Sequence, residues 1–178
     1  MLYSAIKNQI PFLQQCDFSR VKEINGIKHS YSYTKLIPKS VFKLRSPISQ
    51  AGKIYDLAGK RIQVGEANIS IGIPTITALT PAKDLASELV VIKLKHEEHL
   101  VADRFLIVAE RQMREYGIKG RVSLNVKDGS LEKRGLSVRQ CKNFGYSVKV
   151  SGLSEEDSIK LKILGLGGKR RMGAGWFE

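Results

Sequence analysis

Hydrophobic spacing in the first half of the chain predicts a short series of helices and strands. Ile6, Ile10 and Leu13 recur at intervals of three and four residues, which is typical of a helix over residues 2–15. Pro11 lies inside this helix and should kink or split it, because proline lacks the N–H that a helix interior needs. After this helix we predict two strands, at residues 31–37 and 41–45. A helix over about 48–57 and a strand at 61–64 come next.

The second half of the chain has longer and more regular patterns. A run of apolar residues at 89–94 predicts a buried strand, and the spacing over 98–116 predicts the longest helix, which Gly117 ends. We predict the next three strands at 121–126, 136–142 and 144–150, with Phe144, Tyr146, Val148 and Val150 on one face of the last. Asp128-Gly129 is a tight-turn pair suited to a hairpin between the first two of these strands. Ser154 and Asp157 form a capping box for a final helix to about residue 164.

The order of these elements predicts an α+β protein with two tandem ferredoxin-like (RRM-like) domains. The second half has the order strand, helix, strands, helix and strand, which makes one such unit with an additional hairpin. The first half has the order helix, strand, strand, helix and strand, which is the same unit without its opening strand. A segment at 67–82, which contains Pro74 and Pro81, connects them. We therefore predict an incomplete N-terminal domain at 1–82 and a C-terminal domain at 83–178.

Composition favours a folded protein of a reducing compartment. The chain has 178 residues, 42% of them hydrophobic, but no apolar run of about 20 residues, the length that a membrane-spanning helix needs. Cys16 and Cys141 are far apart in sequence, and neither has the paired neighbour that a cysteine zinc site would show. These observations argue against membrane and secreted proteins, so we expect a cytoplasmic protein without a metal or cofactor.

The charge of the chain favours a polyanionic partner. The chain contains 30 Lys and Arg residues and 17 Asp and Glu residues, which gives a net charge of +13. Residues 1–60 carry ten basic and three acidic side chains, residues 61–120 eight of each, and residues 121–178 twelve and six. Basic ends around a neutral middle indicate a directed field, and nucleic acid is the partner that such a field suits best. The alternative is a charge that serves solubility only.

The most informative motif is a glycine-rich segment near the C-terminus. Residues 165–177 read Gly-Leu-Gly-Gly-Lys-Arg-Arg-Met-Gly-Ala-Gly-Trp-Phe, so five glycines surround three consecutive cations. Glycine permits positive φ and close backbone approach, so exposed N–H groups and cations together can hold phosphates. Arg170 stands where a P-loop needs Ser or Thr, and where a dinucleotide fingerprint needs its third glycine. The predicted binding residues are Gly165, Gly167, Gly168, Lys169, Arg170, Arg171, Gly173 and Gly175.

This segment and its surroundings resemble a known family, the CRISPR-associated endonucleases of the RAMP superfamily that process repeat RNA. The hallmark of that family is a glycine-rich loop between the last helix and last strand of a second ferredoxin-like domain. The residues before the loop fit this pattern, with Val-Ser-Gly-Leu-Ser-Glu-Glu-Asp at 150–157 and a helix to residue 164. Weaker likeness runs through residues 2–6, 57–65 and 79–81. The short variants attached to type I systems are the most similar subgroup.

The resemblance implies processing of CRISPR RNA. Such enzymes bind the repeat stem-loop of the precursor transcript, cut at its 3′ base, and often stay on the product as a subunit of a type I surveillance complex (Cascade). Their reaction needs no metal, because the ribose 2′-OH attacks the adjacent phosphate and leaves a 2′,3′-cyclic phosphate and a 5′-OH. A catalytically inactive RNA-binding subunit and a structural RNA-binding protein are the alternatives.

The resemblance implies that two further basic elements contact RNA. Arg104, Arg111 and Arg114 share about one quarter of the circumference of the longest helix, at about 100° per residue. Related proteins use such a helix to follow the phosphates of duplex RNA, and a solvated face paired with nearby acids is the alternative. Lys127, Lys133 and Arg134 surround the Asp128-Gly129 turn, where related enzymes place a hairpin at the base of the stem. A solubilising loop is the alternative there.

The catalytic residues are the least determined part of the sequence. Family members usually open with a strand and then a turn that often carries the catalytic histidine, which accepts or donates protons near neutral pH. Here Met1 stands directly before the Leu2-Tyr3 motif that follows this turn, so we expect either a start assigned too late or a divergent form, and in both cases no counterpart of the usual base within these 178 residues. His29 is the internal candidate for the base, and Tyr3 is a candidate to orient a ribose. An ordinary surface histidine and simple aromatic packing are the alternatives.

Overall fold

Two separate apolar cores organise the chain, one in Met1–Thr77 and one in Ala78–Glu178. The computed structural model describes residues 2–15, 20–22, 24, 26–28, 34–94, 101–138 and 141–178. Within these residues, no helix is long and apolar enough to cross a membrane. The domain boundary at residues 82/83 stays a prediction. Thr80 belongs to the second unit of the structure, and its carbonyl accepts a hydrogen bond of 2.7 Å from Lys162 Nζ of the same unit.

The N-terminal unit consists of short helices and short antiparallel strand pairs. Its helices are α1 (Leu2–Gln9), α2 (Phe12–Gln15) and α3 (Ala51–Tyr55), the last preceded by a 3₁₀ turn at Ile48–Gln50. Its strands are β1 (Arg20–Val21), β2 (Ile27–Lys28), β3 (Thr34–Lys35), β4 (Leu44–Arg45), β5 (Arg61–Val64) and β6 (Ala67–Ser70). They pair as β1 with β4, β2 with β3, and β5 with β6.

Proline divides the first helical stretch, as the sequence predicts. Helix α1 ends at Gln9 and α2 begins at Phe12, with Pro11 in the turn between them. Ile6, Ile10 and Leu13 are all buried in the N-terminal core. The apolar face predicted from their spacing is therefore confirmed, as is the position of the kink.

The extended runs of the N-terminal unit are shorter than predicted. Of the run 31–37, the structure describes only residues 34–37, and β3 covers Thr34–Lys35 of these. A turn follows, in which the Ser40 N–H donates to the Ile37 carbonyl at 2.8 Å. Of the run 41–45, only Leu44–Arg45 pairs as a strand. β-Branched and apolar residues predict extended backbone here, but pairing requires a partner strand in register, which the spacing alone does not reveal.

The C-terminal unit has the element order of a ferredoxin-like domain. Its strands are β7 (Leu85–Val90), β8 (Arg121–Leu124), β9 (Val126–Lys127), β10 (Ser130–Leu131), β11 (Lys133–Val138) and β12 (Cys141–Ser151), and its helices are α4 (Ala102–Glu115) and α5 (Glu155–Leu164). Strand β12 pairs antiparallel with β7 along one edge, and with β11 and β8 along the other. Ala86 and Glu178 exchange two backbone hydrogen bonds of 2.9 Å, so the C-terminal segment extends the sheet beyond β7. This arrangement agrees with the predicted fold.

A small hairpin is inserted into the edge strand of this sheet. Strands β8 and β11 pair with successive stretches of β12, so they lie end to end along one edge. Between them, Asn125 N–H donates to the Ser147 carbonyl and Ser147 N–H donates to the Glu132 carbonyl, both at 2.9 Å. The ribbon β9–β10 leaves the sheet at this point and turns at Asp128-Gly129, where φ is 52° and 75°. The turn therefore exists as predicted, but it joins β9 and β10 rather than the two longer strands.

Two predicted strands have wrong limits. The buried strand predicted at 89–94 lies at Leu85–Val90, and Val91 beyond it bridges to Gly168 instead. The strand predicted at 136–142 corresponds to β11, Lys133–Val138, whereas Cys141 and Lys142 belong to the next strand, β12, which pairs with it. Apolar runs indicate burial, whereas strand limits depend on which residues find a hydrogen-bonding partner, so the two do not coincide.

The core of the C-terminal unit lies between the sheet and its two helices. It contains buried side chains of α4 (Phe105, Ala109 and Met113), of β12 (Tyr146, Val148 and Val150) and of α5 (Leu161). The rings of Phe105 and Tyr146 meet edge to face, with centroids 5.0 Å apart. Helix α5 begins at the predicted N-cap, where the Asp157 N–H donates to Ser154 Oγ at 3.1 Å, which is one of the two bonds of a capping box. The predicted apolar face of β12 is confirmed for all its members except Phe144, which is exposed.

The first testable consequence concerns Gly145, which lies against the backbone of β7. A Cβ at this position would overlap the Val90 carbonyl oxygen and lie 3.0 Å from Leu89 Cδ1. We expect Gly145→Ala to lower the free energy of unfolding by about 2 kcal/mol, because two central strands must move apart. Urea denaturation measures this loss.

Gly135→Ala is the matched control on the neighbouring strand. A Cβ there would make only ordinary contacts of 3.5 Å with the Phe144 ring. An equal loss of stability in both variants would contradict the close packing of β12 on β7.

Candidate nucleic-acid interface

The glycine-rich loop is attached to the sheet on both sides of its cations. The Gly168 N–H donates to the Val91 carbonyl at 2.7 Å, and the Gly175 N–H donates to the Leu89 carbonyl, also at 2.7 Å. Both acceptors belong to the end of β7 or to the residue after it. Trp176 and Phe177 then enter the interior, 4% and 0% exposed. The segment is therefore a fixed arch over β7 rather than a loose tail, as the apolar residues at its end predict.

Two glycines of the arch are required by close backbone packing. A Cβ on Gly167 would overlap the Val91 carbonyl oxygen, and one on Gly175 would overlap the Leu166 carbonyl oxygen. Their φ angles are 76° and 64°, which a residue with a side chain rarely adopts. At these positions glycine lets the chain lie directly on its neighbour.

The N–H groups of the loop glycines are used inside the protein. The N–H groups of Gly165, Gly167, Gly168, Gly173 and Gly175 donate to Leu161 O, Gln112 Oε1, Val91 O, Arg170 O and Leu89 O. The sequence predicts that these N–H groups bind phosphate together with the cations. Their hydrogen bonds inside the protein give no support to phosphate binding by the N–H groups. The glycines shape the arch, and RNA binding by the side chains of its cations stays a prediction.

Arg170 holds the arch against the ends of two helices. Its Nη1 donates to the Leu164 carbonyl at 2.8 Å and to Tyr116 Oη at 3.1 Å. Leu164 is the last residue of α5, whose terminal carbonyls have no partner within the helix, so a cation there is favourable. Arg170 thus has a structural role within the unit, and a contact of Arg170 with RNA stays a prediction.

Gln112 and Tyr116 are positioning residues that the sequence analysis did not identify. Gln112 Oε1 accepts the Gly167 N–H at 2.9 Å, and Tyr116 one helical turn later accepts from Arg170. The only signal in the sequence is their spacing of four, which places both on one face of α4. That spacing cannot tell a contact with the loop from ordinary packing on the core.

Lys169 occupies the outward tip of the arch in an unfavourable backbone conformation. Its φ and ψ are 56° and 22°, in the left-handed region, and it is exposed. This conformation costs a residue with a Cβ about 1 kcal/mol, and glycine would adopt it without that cost. RNA binding by the ammonium group of Lys169 stays a prediction. Arg171 follows, half-buried, in the 3₁₀ turn Arg170–Met172.

The predicted arginine stripe of α4 is exposed. Arg104, Arg111 and Arg114 all lie on the solvent side of the helix, opposite the buried Phe105. Arg111 Nε lies 3.7 Å from Glu115 Oε1, a surface ion pair that contributes little to stability. The stripe is therefore available to a polyanion, and its contact with RNA stays a prediction.

The basic residues near the inserted hairpin differ in how strongly the protein holds them. Arg134 Nη2 lies 2.7 Å from Glu132 Oε1, and Arg134 Nη1 lies 3.5 Å from Glu88 Oε2. The hydrogen bond from Arg134 lowers the pKa of the Glu132 carboxyl below its usual value. Lys127 is exposed on the ribbon, and Lys133 Nζ lies 6.0 Å from the centroid of the Tyr146 ring. RNA contacts of these three cations stay predictions.

The whole chain matches one family of proteins. The family model described as Cas6 CRISPR covers residues 1–178, which is every residue of the sequence. The chain belongs to the Cas6 family. The family resemblance proposed from the C-terminal motif is therefore confirmed.

Individual Cas6 proteins match over nearly the full chain. The CRISPR-associated endonuclease Cas6 of Myxococcus xanthus is 25% identical over 177 residues, which cover 99% of this chain and 72% of that protein. A solved structure described as CRISPR associated protein Cas6 has a TM-score of 0.66 at 13% identity, covering 99% of this chain and 89% of that one. A Cas6-related protein of Pyrococcus furiosus has a TM-score of 0.59 at 17% identity, with coverages of 99% and 84%. The two structures share the fold of this chain, and the predicted fold class is confirmed.

The catalytic candidates of this Cas6 chain are placed only in part. His29 lies outside the described residues. Tyr3 is half-buried and its hydroxyl donates to the Leu13 carbonyl at 3.2 Å, a bond that joins α1 to α2. Among the described residues, no group of three or more His, Cys, Asp or Glu side chains is placed to hold a metal ion. Catalytic roles for His29 and Tyr3 stay predictions.

The division of tasks within the arch leads to a second prediction. Arg170→Ala removes the donor from both the Leu164 carbonyl and the Tyr116 hydroxyl, so we expect the free energy of unfolding to fall by about 1 to 2 kcal/mol. Lys169→Ala removes the adjacent cation and should change stability by less than about 0.5 kcal/mol. Urea denaturation compares the two, and equal losses would contradict a structural role specific to Arg170.

Proposed function

We propose that this chain binds the repeat stem-loop of precursor CRISPR RNA through the cations of its C-terminal arch and cuts the RNA at the base of the stem. Membership of the Cas6 family, the endonuclease of Myxococcus xanthus among its relatives and the net charge of +13 support this proposal. The observation that carries it is Lys169, exposed at the tip of an arch whose backbone is tied to β7 on both sides.

The reaction we propose is a metal-independent transesterification. The ribose 2′-oxygen forms a bond to the adjacent phosphorus and the bond from phosphorus to the 5′-oxygen breaks, which leaves a 2′,3′-cyclic phosphate and a 5′-OH. A base takes the proton of the 2′-OH and an acid returns one to the leaving 5′-oxygen. His29 is the candidate for one of these roles. Lys169 and Arg171 are two residues apart in the sequence. We propose that their positive charge stabilises the doubly negative phosphorane.

We further propose that the protein stays on its product as a subunit of a type I surveillance complex. Cutting at the base of the stem leaves the stem itself intact, so phosphate contacts made there before cleavage persist afterwards. The arch is attached by hydrogen bonds to Leu89, Val91 and Gln112, which all belong to the same unit. A fixed cationic surface of this kind suits a protein that holds RNA for long periods.

The cleavage reaction gives the third prediction. Repeat RNA from the CRISPR array of the same genome, labelled at its 5′ end and incubated with the protein in EDTA, should yield a single 5′ fragment ending in a cyclic phosphate. A matched RNA with a 2′-deoxyribose at the cleaved nucleotide should bind equally well and remain intact, because it lacks the nucleophile. Cleavage that EDTA abolishes would contradict the metal-independent reaction, and tight binding of both RNAs without cleavage would identify a non-catalytic subunit.

The fourth prediction separates the charge of Lys169 from its backbone conformation. Lys169→Gly removes the ammonium group and relieves the left-handed backbone, so stability should stay unchanged or rise by up to about 1 kcal/mol. RNA affinity should nevertheless fall by about threefold to tenfold, and the slope of log affinity against log salt should flatten by about one. Filter-binding titrations at several salt concentrations measure both. Lys169→Arg, which keeps the charge, is the control, and unchanged affinity in Lys169→Gly would contradict the role of the arch.

A further inference from the structure

An exposed aromatic ring lies on the long hairpin formed by β11 and β12. Phe144 is 49% exposed, although Tyr146, two residues later on the same face of β12, is 1% exposed. The residue opposite Phe144 is Gly135, which has no side chain to cover the ring. A large aromatic surface therefore faces solvent at a point where the apolar pattern of the strand predicts burial.

The ring packs against the backbone of the opposite strand. A Cβ built on Gly135 would lie 3.5 Å from Phe144 Cδ1 and Cε1, so the ring packs beside the bare backbone of Gly135. Packing of an aromatic side chain on a cross-strand glycine restricts the ring at little cost in entropy. A ring that is already ordered loses less freedom when a ligand contacts its open side.

Cations lie on both sides of this ring on the same face of the hairpin. Lys142 precedes Phe144 by two residues, and Lys133 lies opposite Tyr146, two residues after it. Side chains two apart on a strand, and those directly opposite across a pair, share a face, with about 7 Å between positions i and i+2. We call these three side chains, Lys142, Phe144 and Lys133, the Phe144 row.

The charge of the hairpin reinforces this row. The two strands read KRGLSV and CKNFGYSVKVS, so neither contains an acidic residue. Glu132, which precedes Lys133 in the chain, and Glu88 are both bound by Arg134, which projects from the opposite face of β11. Lys142 and Lys133 are both exposed. The open side of the ring is thus flanked by positive charge without a neutralising partner in either strand.

We propose that the Phe144 row binds an unpaired nucleobase of the RNA, stacked on the Phe144 ring, while Lys142 and Lys133 bind the adjacent phosphates. The proposal rests on the proposed function, because it requires that the chain binds RNA. A base within a duplex has both faces covered by its neighbours, so a single exposed ring selects a nucleotide outside the stem. Stacking on an aromatic ring together with cations along the backbone is the usual way that proteins hold single-stranded RNA.

The fifth prediction compares two single-stranded RNAs of equal length, oligoadenylate and oligouridylate. The wild-type protein should bind oligoadenylate more tightly, because the purine covers more of the ring than the pyrimidine does. Phe144→Leu should weaken oligoadenylate binding by about fivefold or more and bring the two affinities together. Phe144→Tyr keeps the ring and should preserve the difference. A 2-aminopurine in the oligoadenylate should lose fluorescence on binding to the wild type but not to Phe144→Leu.

The variants also separate this site from the proposed function. Lys169→Gly should weaken both oligonucleotides alike and keep their ratio. If Phe144→Leu equals the wild type in affinity and in quenching while Lys169→Gly loses affinity, the stacking site is wrong and the proposed function stands. If the wild type binds neither oligonucleotide nor repeat RNA, both proposals are wrong. Because the Phe144 side chain is half exposed, its variants should unfold at the wild-type temperature, which circular dichroism checks.

Discussion

The two hydrogen bonds that tie the glycine-rich arch to Leu89 and Val91 are the interaction on which the candidate interface depends. They fix both sides of the segment 169–174 to the central region of the sheet, and so they fix where its cations point. Glycine is essential to them, because any side chain at Gly167 or Gly175 would separate the arch from the backbone beneath it. The arch is therefore held on both sides of its cations, so a partner that bound there would meet a segment that is already ordered.

Neighbouring cations in this protein perform different tasks. Arg170 turns inward to the carbonyl at the end of α5, whereas Lys169 beside it stands outward at the tip of the arch. The same division occurs on the hairpin, where Arg134 pairs with Glu132 while Lys133 lies along the face that carries Phe144. Net charge alone thus overstates the binding surface, because arginine with its several donors is well suited to join elements of the fold.

Strand β12 connects the core to the surfaces that we propose for RNA. Tyr146, Val148 and Val150 pack in the core, and the same face continues to the exposed Phe144 and Lys142. Strand β11 accompanies it there, after the β9–β10 ribbon has left the sheet at Asn125. One face of one hairpin therefore changes from buried core to exposed surface within a few residues, which the alternation of the sequence does not distinguish.

The sequence by itself determined the order of elements, the kink at Pro11, the capping box at Ser154, the turn at Asp128-Gly129 and the family signature at the C-terminus. These features follow from local chemistry: backbone angles that proline and glycine allow, and spacings that helices and strands require. Only the tertiary structure decided that the glycine N–H groups are consumed internally, that Arg170 and Gln112 support the arch, and that Phe144 is exposed. Each of these depends on which atom of a distant segment lies within hydrogen-bonding or packing distance, and residue spacing along the chain carries no such information.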